Sequence, residues 1–158
     1  MTTMQTAAGF RASVRLSAHL QRILIDLITL QLNAKQTHWN LVGRNFRDLH
    51  LQLDEIVDLA RESADTVAER MRAVHAVPDG RPTTVAADTD LPQLPPGEQH
   101  TSTIVDLMTD QLHRTAGALR AVRDEVDAED PTTADLLHQI IAGIEKQAWM
   151  LGSESRNI

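Results

Sequence analysis

Residues 46–74 read FRDLHLQLDEIVDLARESADTVAERMRAV. Phe46, Leu49, Leu53, Ile56, Ala60, Val67, Met71 and Val74 recur at steps of three, four and seven. That rhythm is the apolar face of an amphipathic helix. Asn45 stands where an N-cap belongs, and Pro78, Asp79 and Gly80 mark a stop. A second pattern lies over the first. His50 and Glu69 are centred between residues 59 and 60, and so are Asp54 and Asp65. With His50 as zero, Asp54 falls at about 40°, Asp65 at about 60° and Glu69 at about 100° around the helix. The four share one stripe, roughly 130° from the apolar one, so they face away from the core.

All four are metal-ligand types. His50 and Asp54 are four apart and can converge on one ion, as can Asp65 and Glu69. Asp54 and Asp65 are about 16 Å apart along the axis, too far to share an ion within one chain. A second copy removes the difficulty. If two such helices cross antiparallel near Leu59 and Ala60, Asp54 meets Asp65 of the other copy and His50 meets Glu69. A two-fold interface then makes the site twice. Small Ala60, Ala64 and Ala68 suit a close crossing. His38, twelve residues before His50, adds a fifth ligand type. Two imidazoles and three carboxylates suit divalent iron, with zinc or manganese as substitutes. The plainer reading is a solvated acidic face, the usual fate of i,i+4 charges. The shared centre and shared stripe favour the metal reading.

Outward from this helix the chain is helical throughout. Leu16, Leu20, Ile23, Leu27, Leu30 and Ala34 mark a first helix running to about Trp39, and a turn with Gly43 follows. Val105, Met108, Leu112, Leu119, Val122 and Val126 mark a third; Leu137, Ile140, Ile144, Ala148 and Leu151 mark a fourth. Asp130 and Pro131 fit an N-cap followed by proline at the first helical position. Residues 78–97 hold all but one of the prolines. Such a long connection joins distant ends of parallel helices or carries a short helix, for which Thr83 to Ala87 is the candidate. The expectation is an all-α, ferritin-like four-helix bundle with a long crossover between helices 2 and 3. Residues 1–12 form an N-terminal tail, 13–155 the bundle and 156–158 a C-terminal tail. Glu-x-x-His, the inward motif of ordinary di-iron bundles, is absent.

Composition narrows the classes. With 158 residues the chain suits one domain with a sizeable core, and aromatics at 3% favour helices over strands. There is no cysteine, which excludes disulfides and thiolate chemistry. No stretch reaches membrane-spanning length and no signal peptide is legible, so the expectation is a soluble cytoplasmic protein. A net charge of −7 argues against a broad basic nucleic-acid surface.

The segment His38-Trp39-Asn40, then Gly43, Phe46, His50, Asp54, Asp65 and Glu69, resembles the Dps family, the ferritin-like DNA-binding proteins from starved cells. The likeness extends to the bundle layout, the long crossover and Lys146-Gln147-Ala148-Trp149. The resemblance implies a hollow homododecamer. It implies that Fe2+ binds at two-fold interfaces, is oxidised there by H2O2 or O2, and is stored inside as ferric mineral, which protects the cell from oxidative damage. His38, His50 and Asp54 would come from one subunit, with Asp65 and Glu69 from its two-fold partner. Trp39, beside the site, reads either as a core or interface aromatic or as an interceptor of oxidising equivalents. Asp130 and Asp135, at an acidic corner that includes Asp124, Glu125, Asp127 and Glu129, read either as helix capping or as a three-fold iron-entry pore.

The alternative function is a nucleoid-associated, DNA-binding protection protein in which iron oxidation is secondary. DNA-binding members use Lys- and Arg-rich tails. Here the first fifteen residues offer only Arg11 and Arg15, and the end of the chain only Arg156, so weak or absent DNA binding is expected near neutral pH. His19, His75, His100, His113 and His138 are scattered and join no site.

Overall fold

The computed structural model describes residues 8–156. Residues 1–7 of the expected N-terminal tail and 157–158 of the C-terminal one lie outside that range. Four long helices form the bundle: α1 (Val14–Asn40), α2 (Phe46–Ala73), α4 (Thr101–Glu129) and α5 (Pro131–Gly152), with a short α3 (Pro82–Asp88) in the crossover. The architecture is the ferritin-like bundle expected of the sequence. Leu27, Leu53, Met108, Leu112, Leu119 and Ile144 are fully buried where the four long helices meet. Among the described residues, no helix is long and apolar enough to cross a membrane.

The helix ends show how local chemistry sets the boundaries. Ser13 caps α1, its hydroxyl accepting from the Leu16 N–H at 3.0 Å. Its own N–H and hydroxyl both donate to Glu129, each at 2.7 Å. Asn45 occupies the N-cap position of α2 in the left-handed region, at φ 59°, but its side chain makes no cap bond. It donates instead to Glu154 at 3.1 Å. The end of α2 also departs from the proline-marked stop. The helix finishes at Ala73, and His75 takes the left-handed conformation at φ 66°. The Ala76 N–H reaches back to the Met71 carbonyl and the His75 N–H to Arg72. That is a Schellman ending with histidine in the glycine place.

The crossover exists because α2 and α4 run in the same direction. It begins at the far end of α2 and returns to the α1–α2 turn, where β2 (Gln99–His100) pairs in parallel with β1 (Leu41–Val42). These two-residue strands went unread in the sequence. Gly43 has no substitute here: at φ 126°, an added Cβ would stand 2.9 Å from both His100 Nε2 and Thr101 Oγ1. Along its path the crossover is tied to α1. The side chain of Gln21 exchanges two hydrogen bonds with the Asp79 backbone. Asp26, 2% exposed, accepts from the Thr89 hydroxyl and the Asp90 N–H. Burial pushes its carboxyl above the usual range against the pull of those two bonds.

A similar tie closes the other end. Asp130 leads into α5 with Pro131 behind it, and its carboxylate is buried, accepting from Arg70 Nη2 of α2 at 2.7 Å and from the Thr133 hydroxyl. Burial would raise this carboxyl, but the Thr133 and Arg70 hydrogen bonds win and hold it below the usual range. Asp130 is therefore bound within its own chain by Arg70 and Thr133. Because its folded pKa is depressed, the contribution is fully present above the unfolded carboxylate pKa. It is lost as pH falls through the folded value. Asp130→Asn should cost about 1.5–3 kcal/mol near neutral pH, the scale for hydrogen bonds to charged groups. Urea unfolding at fixed chain concentration should show the gap between variant and wild type closing in acid, below about pH 4.

Candidate metal centre

Two histidines reach each other across the α1–α2 turn. His38 lies in the last turn of α1 and is buried, and His50 lies one turn into α2. His38 Nδ1 is 2.7 Å from the His50 carbonyl, and His50 Nδ1 is 2.9 Å from the His38 carbonyl. A carbonyl only accepts, so each Nδ1 carries the proton and donates. Each Nε2 keeps its lone pair free for a metal, as second-shell bonds do at metal-binding histidines. The rings stack at 3.6 Å between centroids and 19° between planes. Phe46 stacks on the outer face of His50 at 5.2 Å. Backbone and aromatic contacts thus fix both imidazoles before any ion arrives.

Asp54 follows His50 by one turn and stands 3.5 Å from His38 Nδ1 through Oδ1. The same oxygen accepts from Lys35 Nζ at 2.5 Å. That lysine hydrogen bond, with the charge of the ammonium behind it, holds the Asp54 carboxyl below its usual range. Lys35 was missed in the sequence. The available signal was its position three residues before His38, on the same face of α1. An ammonium on this carboxylate would compete with a divalent cation for it.

The remaining two ligand candidates stand apart. Asp65 and Glu69 are exposed, about 16 Å or more farther along α2 from Asp54. Among the described residues, no three His, Asp or Glu side chains gather closely enough to hold an ion within the one chain. Beside Asp65 an open groove of about 580 Å3 runs between α1, α2 and the start of the crossover, lined in part by Asp58, Arg61, Ala64 and Ala68. Ala60 does not belong to this surface; it is fully buried in the core, which corrects its expected place at a helix crossing.

The other candidates sort by exposure. Trp39 is 66% exposed, so it is not a core aromatic. At the acidic corner, Glu125 is bound by Arg15 and His19, Glu129 by Ser13 and Asp130 by Arg70. Asp124 and Asp135 are the more exposed, with side chains 96% and 80% exposed, beside Arg123 and His138 of their own helices. His100 serves as the N-cap of α4, accepting from the Ser102 N–H.

The profile of the ferritin-like domain family matches residues 17–158. The chain is 34% identical over 155 residues to DNA protection during starvation protein 2 of Deinococcus radiodurans, covering 98% of itself and 64% of that protein. It thus spans just under two thirds of that relative. It is 31% identical over 133 residues to the DNA protection during starvation protein of Brevibacillus brevis, covering 84% of itself and 89% of that protein. Its fold is similar to the crystal structure of a Dps protein from Deinococcus radiodurans, with a TM-score of 0.88 and 33% identity over 91% of this chain and 87% of that one.

Lys35 gives the centre a direct test. Lys35→Met removes the cation that competes for Asp54 while keeping the bulk of the stem. Co2+ titration, read by absorbance, should show affinity rising about tenfold, the worth of one net charge-assisted hydrogen bond.

Proposed function

The chain belongs to the Dps proteins of the ferritin-like family, and on that footing we propose that it is a ferroxidase and iron store. Its sites are completed by pairing two copies. The observation that supports this best is the half-site. His38, His50 and Asp54 are gathered in one chain with both Nε2 atoms free, while Asp65 and Glu69 share their stripe too far along α2 to join them. Fe2+ is the substrate. Imidazoles suit the ferrous ion and carboxylates offset the charge gained on oxidation. Hydrogen peroxide, or O2, is the oxidant. Each ferrous ion gives up one electron, so two ions reduce one peroxide and break its O–O bond. The ferric product is stored in a hollow homododecamer, and removing iron and peroxide together protects a cytoplasmic cell interior. Zinc or manganese would act as substitutes on the same ligands.

Asp135 is the stronger candidate for drawing Fe2+ into the shell, with Asp130 holding the corner behind it. Trp39, exposed beside His38, would either pack against the second copy or intercept oxidising equivalents. DNA binding is the second reading, carried by the names of the relatives. Against strong binding stands the pairing of about half of this chain's thirteen arginines. Arg15, Arg22, Arg70, Arg81, Arg114 and Arg120 are all ion-paired with carboxylates. A gel shift at physiological salt should show no tight complex.

Subunit mixing tests the shared site. A chain carrying His50→Ala with Asp54→Asn and a chain carrying Asp65→Asn with Glu69→Gln should each be inactive alone. Refolded together in equal amounts, half the pairs are mixed and each mixed pair has one intact site. Ferrous oxidation should then return to roughly one quarter of wild type. No recovery, with assembly intact, would overturn the shared site.

A further inference from the structure

The ligand stripe of α2 carries two more residues with the same centre. Asp58 and Arg61 also have their midpoint between residues 59 and 60. On the wheel that puts His50 at zero, Asp58 falls at about 80° and Arg61 at about 20°, on either side of the stripe's midline. They are closer to that midline than His50 and Glu69, which are about 100° apart. Both are exposed, and both line the groove beside Asp65. Among the described residues, the chain's ion pairs leave out both of them.

We infer that Asp58 and Arg61 form two reciprocal ion pairs across the two-fold axis, Asp58 of each copy with Arg61 of the other, and that these pairs fix the register in which the metal ligands meet. The occupant of the groove is therefore a second copy of this chain. Charge and geometry carry the assignment. In an antiparallel crossing centred between residues 59 and 60, each Asp58 lies level with the other copy's Arg61, about 2 Å along the axis from the dyad. Two opposite charges then meet twice at the centre of the interface. A slip by one helical turn would bring the like residues of the two copies closer together and separate Asp54 from Asp65. Opposite charges placed this way supply register and partner choice more than bulk affinity. The assignment rests on the shared-site reading for its purpose, but pairing is measurable without iron.

Charge reversal tests it. Asp58→Arg gives each copy two cations at the dyad, and Arg61→Asp gives each two anions. Each single variant should weaken two-fold pairing by at least about tenfold, seen as dissociation in native mass spectrometry, with the defect easing as salt rises. The double variant should assemble as wild type does. Mixing the two single variants should also restore pairing, because the two cations of one chain then face the two anions of the other. That recovery separates a bond between copies from one within a helix, which mixing would leave broken. Circular dichroism monitors folding of each chain. If a single variant does not fold, Asp58→Asn and Arg61→Gln take its place, and each must weaken pairing. Single variants that assemble like wild type, or a folded double variant that does not assemble, would overturn the inference. Normal assembly effects with no ferrous oxidation would instead count against the shared-site function.

Discussion

An α-helix advances only about 1.5 Å per residue and does not fold back on itself. That constraint governs everything distinctive about this chain. Helix α2 carries two stripes at once. One buries Leu53, Ile56 and Ala60 in the bundle, and the other sets His50, Asp54, Asp65 and Glu69 along a face that the bundle leaves open. Because the helix is straight, the two ends of the second stripe cannot meet in one copy. A bundle that placed its ligands inward would finish its site alone; here the proposed ligands stay divided between the two ends of α2.

The half that one chain does build is rigid. The two imidazoles bond each other's backbones, stack face to face and are covered by Phe46. For the proposed shared site, the ordering of these two imidazoles, one of the costs of joining two molecules, would be met inside each chain before pairing. Lys35 completes the picture by neutralising Asp54, so the lone half-site does not present an unbalanced carboxylate. Charge in the chain is also balanced elsewhere, at Asp130 and Glu125, by partners drawn from other elements.

Periodicity made the four long helices legible, since burial at every third or fourth position leaves a trace in sequence; the length of the crossover pointed to the short helix within it. The alignment of ligand types on one stripe was legible for the same reason. What escaped depends on contacts between distant segments. Parallel pairing of Leu41 and Val42 with Gln99 and His100 involves only two residues on each side, too few to show a strand pattern. His75 ends α2 in a conformation usually left to glycine, so a stop read from Pro78 falls late. Lys35 looks like an ordinary surface lysine until the α1–α2 turn brings it to Asp54. Asp130 reads as a cap or a pore acid from sequence, and its bond to Arg70 of α2 has no local signal. Ala60 sits at the centre of the ligand pattern in sequence, but its angle on the helix belongs to the apolar stripe and the core.

The small parallel pairing beside Gly43 has a further consequence. It fastens the turn between His38 and His50 to the residues that start α4. Fraying of that turn would require the end of the crossover and the first turn of α4 to open with it. The amides of Leu41 and Val42 should therefore exchange with solvent on the slow timescale of the bundle's cooperative core, unlike those of an ordinary surface loop.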